Sequence, residues 1–494
     1  MKKIKLLSIA LVAAMSFTSC FEDNDDNIVS ANEINDFVWK GMNVFYLYKD
    51  NIPNLANDRF SSNQEYASYL NDYDRPEQLF ESLIYQRPSV DKYSWIVDDY
   101  IALEQLFSGV STSNGMEYRL FIQPNSSTQM IGIVRLVLPG SDADIKGVKR
   151  GDIFSTVNGI PLTTSNVNEL LSLSTYTINK ATYDDNGTPE ATDDSIIPGN
   201  ESITLNKLEY SENPIYENDI FNVAGSNVGY LMYNGFTSNY DTELNDVFAN
   251  FKSSNVQDLI LDLRYNPGGS VNTAILLSSM ITGQFNGEVF STEQWNSEFQ
   301  EAYNNSDPEL LINRFTDNDD GAPLNTLNLN RVYVIATGAS ASASELVINS
   351  LDPYIDVIHI GDFTSGKYQA STTLYDSNNF GRNGANPNHT YALQPLIFKS
   401  VNNVGRTDYD NGLTPDIELK ESYLNLGVIG DVNEKLLAAA ISEIENSGKW
   451  VDLKAESKPE LKKVLDSNDM IPFGNDMHVE KQIPTNLINR KTFK

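Results

Sequence analysis

Eight small or hydroxylated residues and a glutamate, Thr337-Gly338-Ala339-Ser340-Ala341-Ser342-Ala343-Ser344-Glu345, follow the run Val332-Tyr333-Val334-Ile335-Ala336. That run is apolar, rich in β-branched residues and of strand length. From Glu345 to Leu351 the pattern turns helical, with Leu346, Val347 and Ser350 at spacings of three and four. A strand delivering a small-residue turn into a helix is a place to expose a nucleophile. Small side chains permit the sharp turn, and the helix N-terminus aims free N–H groups and its positive dipole at developing negative charge. A second apolar run, Val357-Ile358-His359-Ile360-Gly361, leads into Asp362-Phe363-Thr364-Ser365-Gly366-Lys367. A serine hydroxyl needs a base before it can attack. A lysine can be that base only as a neutral amine, and its reference pKa of about 10.4 then demands burial. Taken singly, such turns and such lysines are common, and most lysines are solvated surface charges.

The combination is more specific. Ser340-Ala341-Ser342-Ala343-Ser344-Glu345 followed by Gly361-Asp362-Phe363-Thr364-Ser365-Gly366-Lys367 resembles the carboxyl-terminal processing peptidases, the tail-specific protease family. The resemblance implies that Ser342 is the nucleophile and Lys367 its general base. A third residue orients the lysine in some members; Glu345, Asp352 and Gln369 are candidates, and Ser371 stands where many members carry glutamine. Asp262-Leu263-Arg264-Tyr265-Asn266-Pro267-Gly268-Gly269 is similar to a second motif of the family. Its glycines bring a backbone N–H close to the substrate carbonyl, the use to which close-approaching glycines are put. The oxyanion hole is thus expected from Gly268 or Gly269 together with the N–H of Ala343. Gly412-Leu413-Thr414-Pro415-Asp416-Ile417 resembles the family's closing strand. The implied activity is serine endopeptidase, working on peptide or unfolded protein through an acyl-enzyme and without a cofactor.

The elements that must position these residues fall into segments. Residues 31–108 read as a helical N-terminal domain, with Ile34, Phe37, Val38, Met42, Phe45 and Tyr46 at helical spacing. Residues 109–208 change to short strands. Within them Pro139 to Ile153 and Val157-Asn158-Gly159-Ile160 resemble the PDZ domains of bacterial proteases, which take an extended peptide onto a sheet edge. The corresponding carboxylate loop falls near Asn114-Gly115-Met116-Glu117-Tyr118, where Glu117 would repel a peptide's terminal carboxylate. Tyr183 to Asn200 is polar and acidic and reads as a mobile loop whose carboxylates match no EF-hand spacing. Residues 209–425 form the catalytic core and 426–494 a helical and polar extension, with a helix over Asn433 to Ile444. The fold class is multidomain α+β: a helical N-terminal domain, a PDZ-like β domain and an α/β (ClpP/crotonase-like) serine protease core.

The chain of 494 residues carries 67 acidic and 35 basic side chains, a net charge of −32. Without a concentrated basic patch, nucleic acid and anionic membrane surface are poor partners. Met1-Lys2-Lys3-Ile4-Lys5, an apolar stretch from Leu6 to Met15 and Thr18-Ser19-Cys20 make a signal peptide over residues 1–20. Cys20, the single cysteine, resembles the lipidated residue of a bacterial lipobox. The acidic tether over 21–30 follows, so the expected location is the cell envelope, the outer membrane being reached only through the lipid anchor. One cysteine excludes disulfides. Three scattered histidines, His359, His389 and His478, argue against zinc and against a histidine triad; no metal is expected. Two other functions compete: a catalytically silent surface lipoprotein that binds peptide in the PDZ-like groove, and a glycan-capturing lipoprotein. Oligomeric state is not legible.

Overall fold

The computed structural model describes residues 32–188, 190, 192–446, 461–470 and 477–479. Its centre is a six-stranded sheet in the order Ile215–Val223, Ser226–Tyr233, Asp258–Asp262, Arg331–Ala336, Asp356–Gly361 and Ile417–Glu418. The first pair is antiparallel and the rest are parallel. The central strands are almost wholly buried, as strands covered on both faces must be. Helices Val271–Thr282 and Ala343–Leu351 cover one face, and Lys435–Glu445 covers the other. Three parallel strands end on one edge of the sheet, at Asp262, Ala336 and Gly361. The loops that follow them carry the three chemical motifs. This is where open α/β sheets place their ligands.

The N-terminal helices Glu33–Phe45, Asn63–Asn71 and Pro76–Ser82 do form. Their apolar faces share one continuous core with the catalytic sheet. Trp95–Val97 pairs with Ala392–Gln394, and Asn296 Nδ2 donates to the carbonyls of Val44 and Tyr46. The apolar stripe from Phe37 to Tyr46 is therefore the packing surface between this segment and the catalytic core.

The β domain contains Met116–Ile122, Met130–Val137, Ile153–Val157, Ile160–Pro161, Thr175–Asp184 and Ser195–Asn206 around its own apolar cluster. Asn158 and Gly159, at φ +52° and +74°, make the two-residue turn between Ile153–Val157 and Ile160–Pro161. Part of the segment expected as a mobile loop is strand, at both of its ends: Tyr183 pairs with Ile196 and Asp184 with Ser195. Its polar composition misled because this ribbon is largely exposed on both faces, so no apolar alternation marks it. Among the described residues no helix is long and apolar enough to cross a membrane, and no cluster of candidate metal ligands occurs.

The C-terminal extension does more than the sequence suggests. Lys463–Asp466 adds to the edge of the β domain beside Met116–Ile122. Met477–His478 lies between Gly269–Ser270 and Gln369–Ser371 in a second six-stranded sheet.

Candidate active site

The turn after Arg331–Ala336 contains three serines, and hydrogen bonding separates them. Ser340 Oγ donates to the Leu263 carbonyl at 2.7 Å, and Ser344 Oγ donates to the Asn266 carbonyl at 3.0 Å. Both hydroxyls thus tie this turn to the neighbouring Asp262–Gly269 loop. Ser342 is fully buried, and its Oγ makes no hydrogen bond. Its backbone sits at φ +67°, ψ −114°, a strained conformation for a residue with a Cβ. Strain and an unsatisfied hydroxyl both cost stability, and they coincide on one serine at the N-terminus of helix Ala343–Leu351.

Glu345 organises the site around it. Its carboxylate, completely buried, accepts the main-chain N–H of Ser342 and of Lys367, each at 2.8 Å, on Oε2. Oε1 accepts from Gly366 N at 2.7 Å and from Thr364 Oγ1 at 2.5 Å. One carboxylate therefore fixes the Ser342 turn to the Lys367 loop. Burial pushes its pKa up to about 7, against the pull of the four donors. Thr364 Oγ1 also accepts Leu413 N at 2.7 Å, which draws in the closing segment.

The Lys367 side chain is fully buried, with Nζ 4.8 Å from the ring centroid of Tyr93. Since Ser342 Oγ has no partner, the two side chains share no preformed hydrogen bond. Such contacts often tighten only when substrate binds. Gln369 is buried on the strand that follows; its Nε2 donates to Tyr48 OH at 3.1 Å, and its Oε1 is unpartnered. Asp352 does not join this group. It caps the far end of helix Ala343–Leu351, is about half exposed and pairs with Arg406 at 3.3 Å. Nine helical residues separate it from the turn, so it orients nothing there.

Of the expected oxyanion donors, Ala343 opens the helix immediately after Ser342. Gly268 N already donates to Asn266 Oδ1 at 2.9 Å. Gly269, at φ +134°, lies so close to Phe236 that an added Cβ would stand 2.3 Å from its carbonyl oxygen. We expect Gly269→Ala to lower activity by at least tenfold and stability by roughly 1–3 kcal/mol; urea denaturation and peptide turnover measure both. Wild-type values would show that the close approach is incidental.

Several residues of the site were not singled out from sequence. Asn266 joins the loops, its Nδ2 donating to the Tyr233 carbonyl at 2.8 Å and its own carbonyl accepting Ala341 N at 3.1 Å. Tyr93 lies far from Lys367 in sequence and has no motif. His478, read from sequence only as one of three scattered histidines, pairs in register with Ser270 and Ser371 and stacks on Phe107 at 4.1 Å. Cys20 lies outside the described residues. A cleft of about 210 Å³ opens beside Pro267, Gly268 and Gly269, with Met116 and Glu117 of the β domain on its other wall. Glu117 does not present a bare charge, since Arg135 pairs with it at 3.0 Å.

Comparison with known proteins finds similarity to peptidases. The profile of Peptidase family S41 matches residues 227–419, and that of the Peptidase S41 N-terminal domain matches residues 33–95. A carboxy-terminal-processing protease of Bartonella bacilliformis is 24% identical over 347 residues, 67% of this chain and 67% of its own length. A carboxyl-terminal-processing protease of a Picosynechococcus species is 24% identical over 278 residues, 55% of this chain and 58% of that relative. A crystal structure from Bacteroides fragilis assigned to the S41 proteases superposes with a TM-score of 0.62 at 26% identity, covering 83% of this chain and 97% of that one. The two profiles together span just over half of the chain, which belongs to peptidase family S41, with the carboxy-terminal processing proteases, and is a serine peptidase.

Proposed function

We propose that the protein is an endopeptidase in which Ser342 attacks the peptide carbonyl and Lys367, as a neutral amine, takes the hydroxyl proton. The observation that carries this reading is the Glu345 carboxylate, which holds the main chains of Ser342 and Lys367 on a single oxygen. The oxyanion would form against the N–H of Ala343 and that of Gly268 or Gly269; the Gly268 N–H would first have to leave Asn266. Lys367 then returns the proton to the departing amine, and water hydrolyses the acyl-enzyme. No step needs a metal or cofactor.

A fluorophosphonate probe tests this directly. Wild type should be labelled on Ser342 and should cleave unfolded protein, and Ser342→Ala should do neither. Labelling that persists in Ser342→Ala would place the nucleophile elsewhere.

The β domain, on this reading, is PDZ-like and receives extended peptide on the edge of Met116–Ile122. Cys20 is the acylated N-terminus that anchors the enzyme to the outer membrane, by the signal sequence that precedes it and the acidic tether that follows. Mass spectrometry of protein from its native host should find lipid on Cys20. An unmodified N-terminus, or an intact signal peptide, would refute the anchor.

A further inference from the structure

Two sheet edges border the catalytic cleft, and the chain's own C-terminal segment fills both. On the β domain, Lys463–Asp466 pairs antiparallel with Met116–Ile122: Lys463 faces Phe121, Leu465 faces Leu120 and Asp466 faces Arg119. The pairing continues beyond the strand, since Ile122 N donates to the Lys462 carbonyl at 3.0 Å and Tyr118 N to Ser467 Oγ at 3.2 Å. Ser467 and Met470 then border a cavity of about 550 Å³ that also touches Tyr118, Leu171 and Tyr176. On the catalytic core, Met477 pairs with Gly269, and His478 pairs with both Ser270 and Ser371. Val479 N donates to the Ser371 carbonyl at 3.0 Å. One short strand thus bridges the glycine loop and the strand that follows Lys367, and Met477 is fully buried there.

An extended segment held by main-chain hydrogen bonds on a sheet edge is how peptide is bound by strand addition. We propose that residues 461–470 and 477–479 occupy the sites of the substrate strand and so restrain the resting enzyme as an intramolecular competitor. The proposal rests on the serine peptidase reading of the same cleft. The partner class it names is an extended, unfolded peptide that must displace this tail from both edges.

The tail is anchored by charge. Asp466 receives Arg119 Nε at 2.5 Å and lies 3.3 Å from Arg135, and these arginines hold its carboxyl well below the usual range. Arg135 is buried over the ring of Tyr265, 4.8 Å from its centroid. Tyr265 immediately precedes the Asn266-Pro267-Gly268-Gly269 loop. The tail anchor therefore packs, through two side chains, against the loop whose N–H groups the reaction requires.

The test uses the full chain with Met477→Asp, which places a charge in a buried position of the tail, and separately Asp466→Asn, which keeps shape but loses the anchor. Release is read by hydrogen exchange at the amides of Tyr118 and Ile122. Function is read by the rate of fluorophosphonate labelling. A tail seated in nine-tenths of the molecules lowers the accessible fraction about tenfold, so Met477→Asp should label about tenfold faster than wild type. Asp466→Asn should lie between them. A synthetic peptide spanning residues 461–479 should return Met477→Asp towards the wild-type rate. Labelling that rises in neither variant overturns the proposal, whatever exchange shows. Wild type labelled as fast as the variants sinks the tail alone. Folded wild type and variants that all fail to label sink the peptidase mechanism as well.

Discussion

Replacing Lys367 with methionine should abolish peptide hydrolysis, with a loss of at least about a thousandfold, within the range that a positioned general base contributes. Methionine keeps the length and apolar bulk of a side chain that is fully buried over Tyr93, and it removes only the ionisable group. If the amine is held for chemistry rather than for stability, the variant should be as stable as wild type or more so by about 1 kcal/mol. Lys367→Arg should be equally inactive, because a guanidinium stays protonated at any usable pH. The wild-type rate should rise with pH without a histidine being responsible. His478→Gln should leave that limb in place, although this imidazole borders the cleft beside Gly268 and Gly269. Turnover of Lys367→Met within a few-fold of wild type would end the serine–lysine mechanism.

The parts legible in the sequence were those encoded locally. The strand Arg331–Ala336, its small-residue turn and its helix lie within a short stretch, and each is dictated by its own residues. The Asn158-Gly159 hairpin and the glycine motif at Gly268 and Gly269 are of the same kind. What could not be read is contact between distant segments. No pattern links Tyr93 to Lys367, or Lys463 to Phe121, because edge pairing uses main-chain groups that every residue carries. The partner of the N-terminal helices, the catalytic sheet, was not legible either, because amphipathic spacing reveals an apolar face without what covers it. Asp352 illustrates the converse: a carboxylate near the nucleophile in sequence can still sit a whole helix away in space.

Glu345→Gln should be the most informative change that leaves the reacting atoms alone. All four groups facing this carboxylate are donors: three main-chain N–H groups and the Thr364 hydroxyl. An amide offers one accepting oxygen, so its NH₂ confronts either the N–H groups of Ser342 and Lys367 or that of Gly366 beside the Thr364 hydroxyl, which can turn to accept. The unmet hydrogen bonds should cost about 2–4 kcal/mol. The displaced main chains of Ser342 and Lys367 should lower turnover about a hundredfold, since reacting groups tolerate little misplacement. The stability profile separates this positioning role from simple loss of packing. Burial holds the native carboxyl protonated up to about pH 7, whereas the unfolded chain releases that proton near its ordinary value of 4.5. Between those values the native state binds more protons, so this group's contribution makes stability fall as pH rises, by up to about 3 kcal/mol. That decline should be present in wild type and absent in Glu345→Gln. A variant that keeps both wild-type turnover and the wild-type decline would mean that the shared carboxylate neither aligns the pair nor titrates with folding.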